Sequence, residues 1–252
     1  MRRGTAVADA AGLVRPERAI AAYLALARAC GASLRTTTAV RSWTAAGDGV
    51  TVTTDDGVIE GDRLILAPGA WAPELLRIDL PMRVRRRIQH FWRPADGTDF
   101  EPGRLPVWIW DWPPEQIGYG LPAVDGAVKA ALHRGDETVD PDIGAADARP
   151  KEVARMRDWM EKRLPQLASA QWLGAKPCLY TLTPDEHFVL GAHPSAPNTW
   201  VAAGFSGHGF KFVPVIGEIL ADLALTGRTA YDIGIFDPTR AAVAVSGEGE
   251  PR

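Results

Sequence analysis

The sequence predicts a mixed α/β fold in two parts: strand–glycine–helix units on a partly parallel sheet, and a stretch of antiparallel sheet. Three observations predict it. VAAGFSGHGFKF (201–212) starts apolar and extended, passes Gly204, Gly207 and Gly209, and becomes helical, with Phe212, Val215, Ile216, Ile219, Leu220 and Leu223 at three- and four-residue spacing. DRLIL (62–66) runs through APGAW (67–71) into a second helical start. Continuous apolar strands of this kind belong to parallel sheets covered on both faces. Between 83 and 133 the pattern changes to short strands separated by turns, the mark of antiparallel sheet.

In chain order, residues 1–12 read as a loose lead-in. Pro16–Ala29 reads as a helix with Ile20, Tyr23, Leu24 and Ala27 on one face, Pro16 in its first turn and Gly31 past its end. Cys30 at that end reads as a buried small hydrophobe. Leu34–Trp43 is strand-like. Turns at Gly47-Asp48-Gly49 and Asp55-Asp56-Gly57 make Val50–Thr54 and Val58–Glu60 a β-meander. Alternation puts Arg83, Arg85 and Arg87 on one strand face, solvated or facing a ligand. Strands follow at Val107–Trp110, Ile117–Leu121 and Ala127–His133. Lys129 and His133 share a face because their separation is even. Asp136–Arg149 is a polar loop, Pro150–Leu164 a helix, and Gln171–Thr183 leads back to the first part. The tryptophans at 108, 110 and 112 are read as core.

With 252 residues, 46% hydrophobic and 23% charged, the chain is long enough for one large or two modest globular domains. A net charge of −3 speaks against a nucleic-acid or membrane partner. No apolar run approaches the ~20 residues of a membrane span, and the N-terminus lacks a signal-type apolar core. Two cysteines, Cys30 and Cys178, make no disulfide framework and suggest a reducing, cytoplasmic setting. His187 and His193 have no partnering carboxylate pattern, so no metal site is expected.

Glycines in a strand-to-helix turn let the backbone approach a flat or anionic ligand, and a helix start offers free N–H groups. The same turn also serves as a plain tight connection. Ser206, His208 and Lys211 within it favour a site. Two such units suggest a ligand across their carboxyl ends.

CLYTLTPDEHF (178–188), VAAGFSGHGFKF (201–212) and DIGIFDPTR (232–240) resemble the C-terminal half of the monomeric sarcosine oxidase and N-methyltryptophan oxidase family. These are FAD-dependent amine oxidases of the D-amino-acid oxidase-like superfamily. APGAW (67–71), GYGLP (118–122) and VKAALH (128–133) fall in the same order, and the resemblance covers residues 12–240. It implies an incomplete FAD-binding Rossmann-like domain from 1–82 and 176–240 and an antiparallel-sheet substrate domain from 83–175; the polar residues of 241–252 read as a disordered tail. The GxGxxG strand-to-helix motif that opens the family is missing from the sequence. Two expectations follow: an oxidase completed by a separate chain, or a non-catalytic remnant that does not hold FAD.

The resemblance also implies roles. Cys178 matches the cysteine tied covalently to FAD; by its residues alone it reads as an inert core thiol. Gly207, His208, Gly209 and Phe210 would line the flavin's pyrimidine edge, and Lys211 would also hold the substrate carboxylate. Lys129 matches the lysine that assists reaction with oxygen. His133 and Tyr119 match residues lining the substrate cavity. Gly69, Ala70 and Trp71 look like a second FAD contact and Val40 like an adenine-side contact. The implied reaction oxidises a secondary amine, sarcosine or another N-methyl amino acid, to an imine that hydrolyses, with oxygen reduced to hydrogen peroxide. Amine and oxygen are the expected partners of a monomer.

Overall fold

The computed structural model describes residues 11–110, 117–133, 137–143 and 146–241. The predicted tail beyond Ala241 and most of the lead-in lie outside them, as does Trp112. The chain divides into two compact units. The first lies within Met1–Tyr23, Arg86–Glu137 and Gly144–Cys178, the second within Leu24–Arg85, Thr138–Ile143 and Leu179–Arg252. The sequence division at 82/83 and 175/176 differs from this by a few residues. It differs more for the stretch up to Tyr23 and for 138–143.

Helix α1 (Pro16–Ala29) has the predicted bounds, but none of its residues is buried. Ile20, Tyr23 and Leu24, its predicted inner face, are exposed, and so is Cys30. The periodicity was a true helix signal, but a helical stripe does not bring its own covering surface. Strands β1 (Val40–Ala46), β2 (Gly49–Thr54) and β3 (Gly57–Gly61) form the predicted antiparallel meander. The first strand begins later than Leu34 because Thr37 takes φ 57°, which no extended strand tolerates.

β4 (Leu64–Leu66) leads through a short turn of helix at Gly69–Trp71 into α2 (Ala72–Leu75). β5 (Arg83–Arg93) is long, and β6 (Trp108–Trp110), β7 (Gly118–Val124) and β8 (Ala127–Leu132) follow it. Helix α3 (Pro150–Glu161) precedes β9 (Gln171–Leu182), β10 (Val189–Ala192) and β11 (Thr199–Ala203). Helix α4 (Val213–Thr226) ends at Gly227, whose φ of 75° suits glycine.

In the second unit β11 pairs parallel to β4 and antiparallel to β10. Val201 and Ala203 pack into a core with Trp43, Leu66, Ala72 and Leu76. Ala202, between them in sequence, packs with Ile216, Ile219, Leu220 and Leu223 of α4. β11 is therefore buried on both faces, as a continuous apolar strand predicts. Two polar rings brace the end of α2: the Trp43 indole N–H donates to the Leu75 carbonyl at 2.6 Å, and His193 Nε2 to that of Leu76 at 2.6 Å.

In the first unit the sheet order is β6-β7-β8-β5-β9. Trp92, Val128 and Ala130 bury one sheet face against Met156, Trp159 and Met160 of α3. Gly118 and Gly120 are bare because indoles lie over them: a Cβ on Gly118 would sit 2.2 Å from the Trp159 ring, and one on Gly120 2.2 Å from that of Trp108. Trp108 and Trp159 stack at 5.8 Å, so Trp108 packs on the core, whereas Trp110 is exposed.

The arginine run needs a correction. Arg83 is exposed, but Arg87 is buried, and so is Arg86 on the opposite face. Arg86 is satisfied by Glu152 at 2.7 Å and by the carbonyls of Ala146 and Asp147. Strand alternation assigned the faces; the guanidinium partners that permit burial come from distant loops and from α3.

Candidate functional site

The sheet face opposite α3 carries the predicted substrate residues. Trp108 and Gly120 mark the core face, so their neighbours Ile109 and Tyr119 stand on the other. Register then sets a cross-strand row: Ile109 beside Tyr119, Tyr119 beside Ala131, Ala131 beside Gln89. The adjacent row places Leu121 beside Lys129 and Lys129 beside Phe91. Directly opposed residues of an antiparallel pair lie side by side. Lys129 Nζ is 5.8 Å from the Tyr119 ring centroid, and the His133 ring meets the same tyrosine edge-on at 6.3 Å. His133 is anchored by its backbone: its N–H donates to Ile117 at 2.7 Å and its carbonyl accepts from Arg87 Nε at 2.7 Å. Tyr119, Lys129 and His133 thus form one group.

Cys178, a half-buried free thiol on β9, joins this group electrostatically. Burial pushes its thiol up from the ordinary value; the charges of Lys129 and Arg87 and a side-chain hydrogen bond with Gln89 pull it back. Lys129 in turn is lowered by burial, against which Cys178 and Glu17 favour its charged form. Arg87 entered the sequence reading as one of three arginines on a strand face, Gln89 not at all. The same alternation that put Arg83, Arg85 and Arg87 on one face would have extended to Gln89. On the core face His90 is buried and lowered to about 4 by burial, with Glu152 opposing, so it is a neutral packing group.

The glycine turns lie in the second unit. At Gly207, φ is +79° and a Cβ would fall 2.1 Å from the Tyr180 ring, so this position requires glycine on both counts. Thr181 ties the two turns together: its hydroxyl donates to the Gly69 carbonyl at 2.9 Å, and its own carbonyl accepts the Ser206 N–H at 3.0 Å. Gly209 and Ala70 are buried, while Gly207, Gly69, Trp71, Phe210 and Lys211 are exposed. Lys211 Nζ lies 5.6 Å from the Phe212 ring, and the Trp71 indole donates to Asp142 at 2.7 Å. His208 Nδ1 bonds the Ser206 carbonyl, and its ring packs 5.0 Å from Phe188. It lines an apolar cavity of about 260 Å³ with Phe188, Phe212, Ile216 and Phe236. Val40 opens β1 beside Thr54, in a different sheet from both turns. Tyr180 and Thr181 escaped the sequence reading, since only their placement between the turns distinguishes them from ordinary strand residues. Among the described residues no cluster of three or more His, Cys, Asp or Glu could hold a metal ion, and no helix is long and apolar enough to cross a membrane.

Residues 2–223 match the model of the family described as FAD dependent oxidoreductase, DAO. The chain belongs to that family. It is 43% identical over 240 residues to the monomeric sarcosine oxidase of Streptomyces avermitilis, covering 93% of this chain and 62% of that protein. It is 32% identical over 235 residues to the N-methyl-L-tryptophan oxidase of Escherichia coli O81, covering 91% and 61%. The chain therefore spans about three fifths of the length of these relatives. Among solved structures it resembles L-proline dehydrogenase from P. horikoshii with a TM-score of 0.75 at 22% identity, covering 88% of this chain and 59% of that one. It also resembles NikD, an amino acid oxidase essential for nikkomycin biosynthesis, with a TM-score of 0.72 at 28% identity, covering 87% and 58%. The mixed helix-and-sheet architecture is thus that of FAD-dependent amino acid oxidases.

Two features of this DAO-family chain fit the flavin its family uses. A free, half-buried thiol lies within the electrostatic reach of Lys129 and Arg87. A turn at Gly207 presents bare, exposed backbone where any side chain would strike Tyr180.

Proposed function

We propose that this chain is the substrate-facing and flavin-facing part of an FAD-dependent oxidase of secondary amines, acting on sarcosine or another N-methyl amino acid. The products are an imine, which hydrolyses to aldehyde and amino acid, and hydrogen peroxide. The observation that carries the reading is the grouping of Tyr119, Lys129 and His133, with the Cys178 thiol within the electrostatic reach of Lys129.

Bound FAD supplies the two-electron acceptor that no side chain provides. The residues do the rest. Cys178 holds the cofactor covalently. Gly207, His208, Gly209 and Phe210 present the turn to it, with Gly69, Ala70 and Trp71 as a second contact and Val40 on the adenine side. Lys211 gives the substrate carboxylate a point charge on a flexible stem. His133 and Tyr119 line the amine pocket, where the imidazole positions the amine or tunes its protonation. Lys129, charged beside an aromatic ring, stabilises negative charge as oxygen is reduced. The protein acts in the cytoplasm as a monomer.

The test is direct. The purified chain is mixed with FAD, its visible absorption recorded, and the protein precipitated with acid. A yellow pellet and amine-dependent peroxide support the reading. A colourless pellet from protein that takes up no flavin overturns it in favour of a non-catalytic relative of the oxidases.

A further inference from the structure

We propose that Thr181, near the end of β9, is the positioning residue that fixes the two glycine turns, 67–71 and 204–209, against each other. Its side chain holds one turn and its backbone holds the other. A flat ligand that rests on one turn therefore meets the other at a set spacing. This deepens the reading of the turns as contacts to one flavin and rests on it for its purpose. The link itself is tested without flavin.

Two hydrogen bonds through one residue make the link. The Thr181 hydroxyl donates to the Gly69 carbonyl at 2.9 Å, across 112 positions of chain. The Thr181 carbonyl accepts the Ser206 N–H at 3.0 Å. Thr181 is buried and lies with both turns in the second unit. The Gly69 carbonyl also accepts the Ala72 N–H, and the Trp71 N–H donates to the Pro68 carbonyl at 3.1 Å. Both lone pairs of the Gly69 oxygen are thus used, one within its turn and one for the link.

Both anchored points are left-handed backbone. Gly69 has a φ of 58° and Ser206 one of 48°. A serine holds that conformation where its surroundings over-determine it, and such residues cluster at ligand clamps. Here the Ser206 amide is held by Thr181, its hydroxyl donates to the Gly204 carbonyl at 3.1 Å, and the residue is 2% exposed. The preceding residue of β9, Tyr180, puts its ring where a Cβ on Gly207 would fall. Two consecutive residues of β9 therefore shape the 204–209 turn, and Thr181 reaches the 67–71 turn as well. Valine at 181 would keep the shape and the bond to Ser206 and lose the bond to Gly69. The hydroxyl is the part that joins the turns.

The experiment uses the full chain with Thr181→Val, Thr181→Ala and Thr181→Ser. Amide hydrogen exchange is followed first, without flavin. We expect the Trp71 and Ala72 amides to exchange about fivefold faster in the valine variant, and the serine variant to stay within about twofold of the parent. The alanine variant carries the test if the valine variant does not fold. Rates unmoved in both overturn the proposal. FAD binding is then followed by flavin fluorescence in a Cys178→Ser background, in buffer where circular dichroism shows each variant folded. We expect Thr181→Val to raise the FAD dissociation constant about fivefold and Thr181→Ser to restore it. A hydroxyl that only stabilised the fold would lower the urea midpoint and leave the FAD constant unmoved, and that result overturns the proposal too. Faster Trp71 and Ala72 amides in a chain that takes up no FAD would sink the oxidase reading and leave Thr181 as the link between the turns.

Discussion

His90 and Asp185 show how single residues set the pH response. His90 is buried without a partner for Nδ1 and is lowered from 6.5 to about 4 by burial. The unfolded chain therefore takes up this proton first, and stability falls as pH drops from about 6.5 toward 4. The ceiling is about 3 kcal/mol, and we expect His90→Leu to flatten that part of a urea-midpoint profile. Asp185 acts lower on the scale. Arg240 holds it bidentate at 2.7 and 2.9 Å, and its pKa falls to about 2, chiefly through that bond. Its contribution is present above pH 4 and lost as pH falls toward 2. Arg240→Leu should remove this second slope and leave the first intact. Neither residue was legible in advance. A histidine in RRRIQHFW and an aspartate in TPDEHF carry no local sign of whether they will be buried or paired.

At the scale of elements, β7 shows how two glycines make room for a sheet-to-helix interface. Gly120→Ala would put a methyl 2.2 Å from the Trp108 ring and 2.5 Å from the Lys129 carbonyl. We expect about 2 kcal/mol of destabilisation from overpacking, read as a lower urea midpoint, with the Lys129 side of the sheet disturbed as well. Parity along β5, β7 and β8 was readable, and so the pairing of Lys129 with His133 on one face held. Helix α1 shows the opposite case. Its period was plain, but its burial was not, because a stripe of Ile20, Tyr23 and Leu24 says nothing of what will cover it. Thr37, at φ 57°, shortened β1 for a reason that propensity for extended structure does not register.

For the molecule as a whole, the functional expectation rests on one cofactor meeting groups drawn from several segments. If Cys178 holds FAD covalently, Cys178→Ser should abolish acid-stable colour without unfolding the chain, as followed by circular dichroism. If the variant binds FAD reversibly, FAD at about a hundredfold over its dissociation constant should raise the stability by about 2.7 kcal/mol. A chain that shows neither effect does not carry a flavin site.

The sequence by itself determined the local grammar: two strand–glycine–helix units, a meander, and a second run of strands whose odd and even residues divide between two faces. These follow from φ/ψ limits and side-chain periods within a few residues of one another. It also determined the family, because CLYTLTPDEHF and VAAGFSGHGFKF are long enough to be distinctive. The tertiary structure decided which strands became neighbours. The order β8-β5-β9 sets the strands of Lys129 and Cys178 on either side of β5, and the β9 residues Tyr180 and Thr181 lie between the two glycine turns. Strand order is chosen by the burial of whole faces against α3 and α4, a non-local free energy that no short window of sequence contains.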